Sequence, residues 1–191
     1  MPEYPRSAAA KRPRVNGRLG LDRKADPAAW KLRVEGAHGG DLELPLAALQ
    51  ALPTHELTTE LRCVEGWSMI VTWTGARLSD FIAAYPPAAR DGSRADARRD
   101  PGSLPRFVAL ETPGRGYYVG LDLASALHPQ TLLAWGINGA PLPWEHGAPL
   151  RLAIPIKYGV KSLKRIGTVR YTDVRPADYW AERGYDWDLG H

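Results

Sequence analysis

Between residues 30 and 37 the chain reads WKLRVEGA, apolar and polar side chains in alternation, as in a strand with one face buried. The same period of two recurs in HELTTELRCV (55–64), which predicts a strand ending at Cys63, and in RFVALET (106–112). GYYVGLDLASAL (116–127) predicts a strand running into a short helix. TLLAWGINGAPL (131–142) predicts a strand entering a turn at Asn138-Gly139, a hairpin pair. LRLAIPIKYG (150–159) and SLKRIGTVRYTDV (162–174) read as strands split by a Tyr-Gly turn. Two stretches carry the helical period instead. LPLAALQAL (44–52) has a proline near its first turn, where the missing N–H costs nothing, and RLSDFIAAY (77–85) puts Leu78, Phe81 and Ile82 on one face. DYWAERGYDW (178–187) predicts a last helical turn followed by a loop. No internal repeat is present. The sum is an α+β domain of mixed β-sheets with short helices and long loops able to build a site.

Two segments fall outside this patterning. Residues 1–25, opening MPEYPRSAAAKRPRVNG, are expected to form a flexible N-terminal arm, and residues 26–191 a single domain. Within that domain PPAARDGSRADARRDPGS (86–103) is polar and rich in proline, glycine and charge, which predicts a mobile surface insertion. The 191 residues, 44% of them hydrophobic, suffice for one core, and 17 prolines with 19 glycines favour strands and loops over a helix bundle.

A formal charge of +4 is mild and shows no dense basic stripe interleaved with aromatics, so no nucleic-acid partner is expected. A local anion site, such as one for a phosphate, accounts for the excess. No apolar run approaches the ~20 residues of a membrane span. The N-terminus has neither an apolar signal core nor a paired-arginine export signal, and a cytoplasmic location is expected.

Cys63 is the one cysteine, which excludes an internal disulfide and any zinc site built on two thiolates. Three roles remain open from the residues alone: a buried small hydrophobe, a nucleophile paired with His38, His55, His128 or His146, and a ligand for a soft metal. The second dense region is NGAPLPWEHGAPLRLAIPIKYGVKSLKRI (138–166), where a loop rich in proline and glycine carries His146. Arg151, Lys157, Lys161, Lys164 and Arg165 follow. Around the Tyr158-Gly159 turn these cations and exposed N–H groups either converge on a phosphate or line the wet face of a strand.

LRCVEGWSMIVTWTG taken with HGAPLRLAIPIKYGVKSLKRI resembles the molybdopterin domain of the sulfite oxidase family. It is especially similar to the bacterial branch that contains the molybdenum-dependent methionine-sulfoxide reductase. The resemblance runs from about Asp26 to Tyr185, interrupted by the 86–103 stretch. It implies the sulfite oxidase-type fold and a molybdenum-molybdopterin cofactor. Cys63 then corresponds to the thiolate that binds molybdenum, beside the dithiolene sulfurs of the pterin. Thr112 corresponds to a cofactor contact, and His146 and Arg151 to the pair holding the pterin and its phosphate. Ser162, Leu163 and Lys164 match the tripeptide whose backbone and lysine complete the cradle. Tyr185 stands where the family places a substrate-pocket tyrosine, able to donate a hydrogen bond or relay a proton. For Lys157 and Lys161 the solvated reading stands beside the site reading. Trp67, Trp73 and Trp180 are expected as core or pocket walls.

The match departs from the family upstream. The family's Arg-Asn-His stretch has only Asn16 and Arg18 as approximate equivalents, and no histidine follows. No counterpart of the C-terminal dimerisation domain or of a haem domain is seen, so the expectation is a monomeric, reduced catalytic domain with fewer pocket cations. The implied function is oxygen-atom transfer to or from a small-molecule substrate, such as a sulfoxide, N-oxide or sulfite. A separate redox protein would be its electron partner. Two other readings are a non-catalytic module that only holds the cofactor and a cofactor-free Cys–His hydrolase.

Overall fold

A computed structural model describes residues 1–22, 26, 28–89, 91–96 and 99–191. Among the described residues there are ten strands: β1 (Leu32–Glu35), β2 (Leu42–Leu44), β3 (Thr54–Arg62), β4 (Ser68–Arg77), β5 (Phe107–Glu111), β6 (Tyr118–Asp122), β7 (Leu132–Ile137), β8 (Ala140–Pro141), β9 (Arg151–Ala153) and β10 (Thr168–Thr172), of which β2 and β4 lie outside the stretches predicted as strands. Three short helices join them: α1 (Leu46–Gln50), α2 (Leu78–Ala84) and α3 (Leu123–Leu127). One sheet runs β2-β1-β10-β5-β6, and the other runs β3-β4-β7-β8 with β9 also on β7. The β1–β10 pair is parallel and the other pairs are antiparallel, so the first sheet is mixed as expected.

Burial follows the pattern of the sequence. In β1 Leu32 and Val34 are fully buried while Arg33 and Glu35 turn outward, and they meet Val169 of β10 and Val108 and Leu110 of β5 in the larger core. Leu78, Phe81 and Ile82 of α2 enter that core from the side, each side chain contributing roughly 1.5–3 kcal/mol by its removal from water. A second cluster of Leu57, Leu61, Val71, Trp73 and Ile137 lies on the other sheet. The hairpin at Asn138-Gly139 forms as expected, with φ of 52° and 80°.

Three expectations change. First, LRLAIPIKYG and SLKRIGTVRYTDV are mostly not strands: only Arg151–Ala153 and Thr168–Thr172 are, and residues 154–167 wind as turns. Pro155 has no N–H to give a ladder, and Lys157 and Lys161 turn inward to partners, which breaks the pleat. Second, the described part of the 86–103 stretch is tied down. Ala88 N–H donates to Gly36 carbonyl at 3.1 Å, Ala89 N–H to Ser93 carbonyl at 2.7 Å, and Ala95 is buried. Residues 90, 97 and 98 lie outside the described residues. Third, residues 1–22 do not extend as a free arm. Tyr4 N–H donates to Thr58 carbonyl on β3, Ala10 N–H to Ile70 carbonyl on β4, and Asn138 Nδ2 donates to Ala10 carbonyl. The segment straps the β3–β4 hairpin because both edges there offer unpaired backbone groups. The proposed boundary at Ala25 lies outside the described residues.

Candidate functional site

Strand β3 ends at Arg62, and Cys63 opens the turn that leads back into β4. Its N–H donates to the Trp67 carbonyl at 2.9 Å, and its carbonyl accepts from Gly66 N–H at 3.1 Å. Those two bonds fix the Cα–Cβ direction at the hairpin tip and leave the thiol free of backbone partners. The side chain is half-buried and faces a cleft of about 250 Å³. The nearest donor to Sγ is the Asn16 side-chain amide at 3.8 Å, a long contact even for sulfur. The same amide donates to Glu65 Oε2 at 3.1 Å, which also accepts from Trp67 Nε1 at 3.0 Å. These two hydrogen bonds, the Trp67 one foremost, hold the Glu65 carboxyl below its usual range.

The opposite wall comes from the loop before β9 and the turn after it. His146 closes a 3₁₀ turn over Trp144–His146 that ends on Gly147, with φ of 101°. A Cβ at Gly147 would stand 2.8 Å from the Arg165 backbone nitrogen, so only glycine lets the loop come this close to Lys164 and Arg165. Arg151 begins β9 and is 3% exposed. Its Nε, Nη1 and Nη2 donate to the carbonyls of Leu152, His146 and Ser162 at 3.3, 3.1 and 3.0 Å. Its guanidinium stacks 4.6 Å above the Trp73 ring. Burial lowers the Arg151 pKa to about 10, which leaves it cationic at neutral pH. Lys164 Nζ donates to the carbonyls of Asn16, Gly17 and Glu145 at 2.7, 2.9 and 2.9 Å. Burial, with Arg151 next, brings its pKa down to about 8. Burial first, then Arg151 and Lys164, lowers His146 to about 4, so its imidazole is neutral at pH 7.

Six of the residues singled out from the sequence line this one cleft: Cys63, His146, Arg151, Ser162, Lys164 and Tyr185. Tyr185 follows Gly184, is 45% exposed, and packs edge-on to Trp180 with ring centres 5.2 Å apart. Thr112 and Leu163 are not among the lining residues. The Thr112 hydroxyl is used inside the fold, accepting from Tyr117 N–H at 3.0 Å and donating to the Tyr117 carbonyl at 3.1 Å. Leu163 is fully buried in the core and its carbonyl accepts from Leu152 N–H, so it sets the spacing of its neighbours. Of the two lysines left open, neither is solvated and neither lines the cleft. Lys161 pairs with Asp178 at 2.6 Å in full burial, and Lys157 pairs with Asp188 while 6% exposed. Trp67 and Trp180 are cleft walls and Trp73 is core.

Sequence reasoning missed Tyr117 and the docking of the arm, although it marked Asn16, which does line the cleft. The Tyr117 side chain lines the cleft, and its hydroxyl donates to the Val160 carbonyl. Burial foremost pushes its pKa above the ordinary tyrosine value. Nothing in GYYVGLD distinguishes it from a strand residue. Asn16 and Gly17 reach the cleft only because the arm crosses it. A wider depression of about 700 Å³ lies between α2 and Arg94, Ala95, Asp96 and Arg99, but it gathers no thiol and none of these side chains.

The residues suit an anionic cofactor with a thiolate-binding metal. Arg151 and Lys164 are two cations whose partners are carbonyls, and among the described residues neither has a carboxylate within ion-pair distance. The three bonds of Arg151 leave two of its five N–H groups for a ligand. A phosphate would supply the missing negative charge, and Cys63 stands across the cleft as a soft ligand.

Comparison with known proteins gives the same answer independently. Over 156 residues the chain is 39% identical to the protein-methionine-sulfoxide reductase catalytic subunit MsrP of Xanthomonas campestris pv. campestris, a match covering 79% of this chain and 47% of that protein. It is 34% identical over 188 residues to the putative protein-methionine-sulfoxide reductase subunit YedZ1 of Azospira oryzae, covering 97% and 66%. The chain thus spans about half the length of the MsrP relative. Among solved structures, the sulfane dehydrogenase SoxCD of Paracoccus pantotrophus shares the fold with a TM-score of 0.64 at 17% identity, over 80% of this chain and 40% of that one. The model of the oxidoreductase molybdopterin-binding domain matches residues 19–180, and the chain belongs to that family.

Proposed function

We propose that this chain catalyses oxygen-atom removal from a neutral sulfoxide, using molybdenum-molybdopterin. One observation carries the reading: a single cleft joins the lone thiol of Cys63 to the cations Arg151 and Lys164 and to the phenol of Tyr185. When bound, the cofactor supplies a metal that exchanges two electrons and one oxygen atom with the substrate. The net change is R₂SO + 2H⁺ + 2e⁻ → R₂S + H₂O.

Cys63 holds the metal from the hairpin tip, where its two backbone bonds keep the sulfur in place. Arg151 and Lys164 would bind the cofactor phosphate with Ser162, and neutral His146 would offer a ring nitrogen to the pterin. Tyr185 donates its hydroxyl proton toward the departing oxygen from the open side. The rest of the lining sets Arg14, Asn16 and Glu65 among the apolar Leu19, Leu61, Val64, Trp67, Met69 and Trp180, so its one further cation is matched by a carboxylate. Such a wall favours a neutral sulfoxide over a dianion such as sulfite, whose desolvation it would not compensate. The MsrP relative, a methionine-sulfoxide reductase by name, supports the same substrate class.

Protein purified from a molybdenum-replete host is expected to hold one molybdenum and one pterin and to reduce methionine sulfoxide with a reduced dye. Cys63→Ala should lose the metal-centred Mo(V) signal and turnover by more than the roughly 10–100-fold typical of outer-shell changes. Metal-free protein, or an unchanged Mo(V) signal in Cys63→Ala, would defeat the reading.

A further inference from the structure

The eight residues KRPRVNGR (11–18) contain four cations and no acid, a surplus equal to the whole formal charge of +4. The rest of the chain is therefore charge-balanced. Lys11, Arg12, Arg14 and Arg18 are all exposed, and among the described residues none of them sits in an ion pair. Their backbone is nonetheless fixed. Ala10 N–H donates to Ile70 carbonyl at 2.8 Å, Arg14 N–H to Met69 Sδ at 3.2 Å, and Lys164 holds the Asn16 and Gly17 carbonyls. The segment thus turns carbonyls and the Arg14 side chain toward the cleft, and leaves Lys11, Arg12 and Arg18 to solvent.

Val15 and Leu19 follow Arg14 and Arg18 along the arm, and Leu19, Val64 and Tyr185 line the cleft together with Arg14. Val15 and Leu19 are 39% and 43% exposed, and Val64 and Tyr185 at the cleft mouth are 38% and 45% exposed. They are four of the five large apolar side chains exposed on the described surface. An apolar centre with a charged rim is the make-up of a transient protein interface.

We propose that this basic, apolar-centred arm is the docking surface for an acidic electron-carrier protein. The inference rests on the reductase reading, in which each sulfoxide consumes two electrons and two protons and releases water. Among the described residues no group of three or more His, Cys, Asp and Glu side chains is placed to hold another metal centre. A carrier seated on the arm delivers these electrons at the cleft mouth. Unpaired rim cations act mainly on association rate, and salt screens them beyond about 8 Å at physiological strength. The arm lacks the interleaved aromatics that mark a nucleic-acid surface.

The test uses the molybdenum-loaded protein and a double variant, Lys11→Gln with Arg12→Gln, which leaves Arg14, Asn16 and Arg18 in place. Reduced flavodoxin and a plant-type ferredoxin serve as acidic donors and reduced riboflavin as an uncharged one, with methionine sulfoxide as acceptor. Turnover with riboflavin is expected to be unchanged in the variant. For at least one acidic protein, kcat/KM should fall roughly tenfold at low salt, and wild type should lose that advantage as salt rises while the variant stays flat. Binding of the oxidised carriers, followed by calorimetry, should weaken in parallel and needs no turnover. Equal kcat/KM and equal salt dependence for both proteins with both carriers would overturn the docking surface. So would tighter binding of a random DNA duplex than of either carrier. Failure of riboflavin-driven turnover with intact carrier binding would instead sink the reductase reading.

Discussion

Tyr185 and His146 show how much of this site rests on single side chains. Tyr185 is open to solvent and makes no structural hydrogen bond through its hydroxyl among the described residues, so Tyr185→Phe isolates the phenol. Molybdenum content and Mo(V) signal are expected to be retained while kcat falls about 10²-fold or more, the usual worth of a positioned proton donor. A full kcat with Phe would remove Tyr185 from the chemistry. His146 makes a different prediction. Its folded pKa of about 4 lies below the ordinary 6.5, so between those values the unfolded chain binds a proton that the folded chain refuses. Stability is then complete above pH 6.5, falls as the pH drops from there, and is lost by pH 4. For the cofactor-free protein the loss is of order 2–3 kcal/mol. Urea midpoints measured at pH 7 and pH 4.5 should show this drop in wild type, and a smaller one in His146→Gln.

At the scale of elements, the site is a meeting of a hairpin tip with a loop that needs one particular backbone. The β3–β4 hairpin carries nine register pairs from Thr54–Ala76 to Arg62–Ser68, and that length puts Cys63 at its end. Facing it, the 144–149 loop approaches Lys164 only because Gly147 takes a positive φ and has no Cβ. Gly147→Ala is expected to destabilise the protein by more than about 1 kcal/mol. It should also weaken cofactor retention, read as pterin fluorescence released on gel filtration, because His146 and Lys164 flank the displaced backbone. An alanine variant with unchanged melting and retention would show that the loop has slack.

Over the whole molecule, the buried Lys161–Asp178 ion pair ties the C-terminal segment to the turn that carries Val160 and Ser162 of the cleft. Lys161 and Asp178 are both about 1% exposed, and Lys161 also donates to the Gly120 carbonyl at 2.9 Å. Asp178 further accepts from Gly120 N–H at 3.2 Å. Replacing Asp178 with Asn leaves a cation buried without its charge partner, which typically costs about 3–5 kcal/mol. Chemical denaturation of Asp178→Asn should show a loss of that size. Restoring neutrality with Lys161→Met alongside it should recover part of the loss, which a merely local contact would not do.

The sequence alone determined the strands with period-two burial, the core face of α2, the hairpin at Asn138-Gly139 and the family. Those depend on local periodicity and on motifs whose residues are contiguous. It also marked six of the residues that meet in the cleft: LRCVEGW and the 146–164 stretch carry five of them in order, and Tyr185 follows Lys164 at the family's spacing. Tertiary structure alone decided the remainder. Thr112 and Leu163 serve the frame because their hydroxyl and carbonyl are taken by Tyr117 and Leu152. Lys157 and Lys161 turn inward because distant acids, Asp188 and Asp178, wait there. The arm reads as a polar, basic tail, yet the free edges of β3 and β4 and the ammonium of Lys164 capture its backbone across the cleft. Periodicity reports which face of an element is dry; it carries no record of which distant backbone will satisfy a hydrogen bond. That pairing is fixed only when the chain closes on itself.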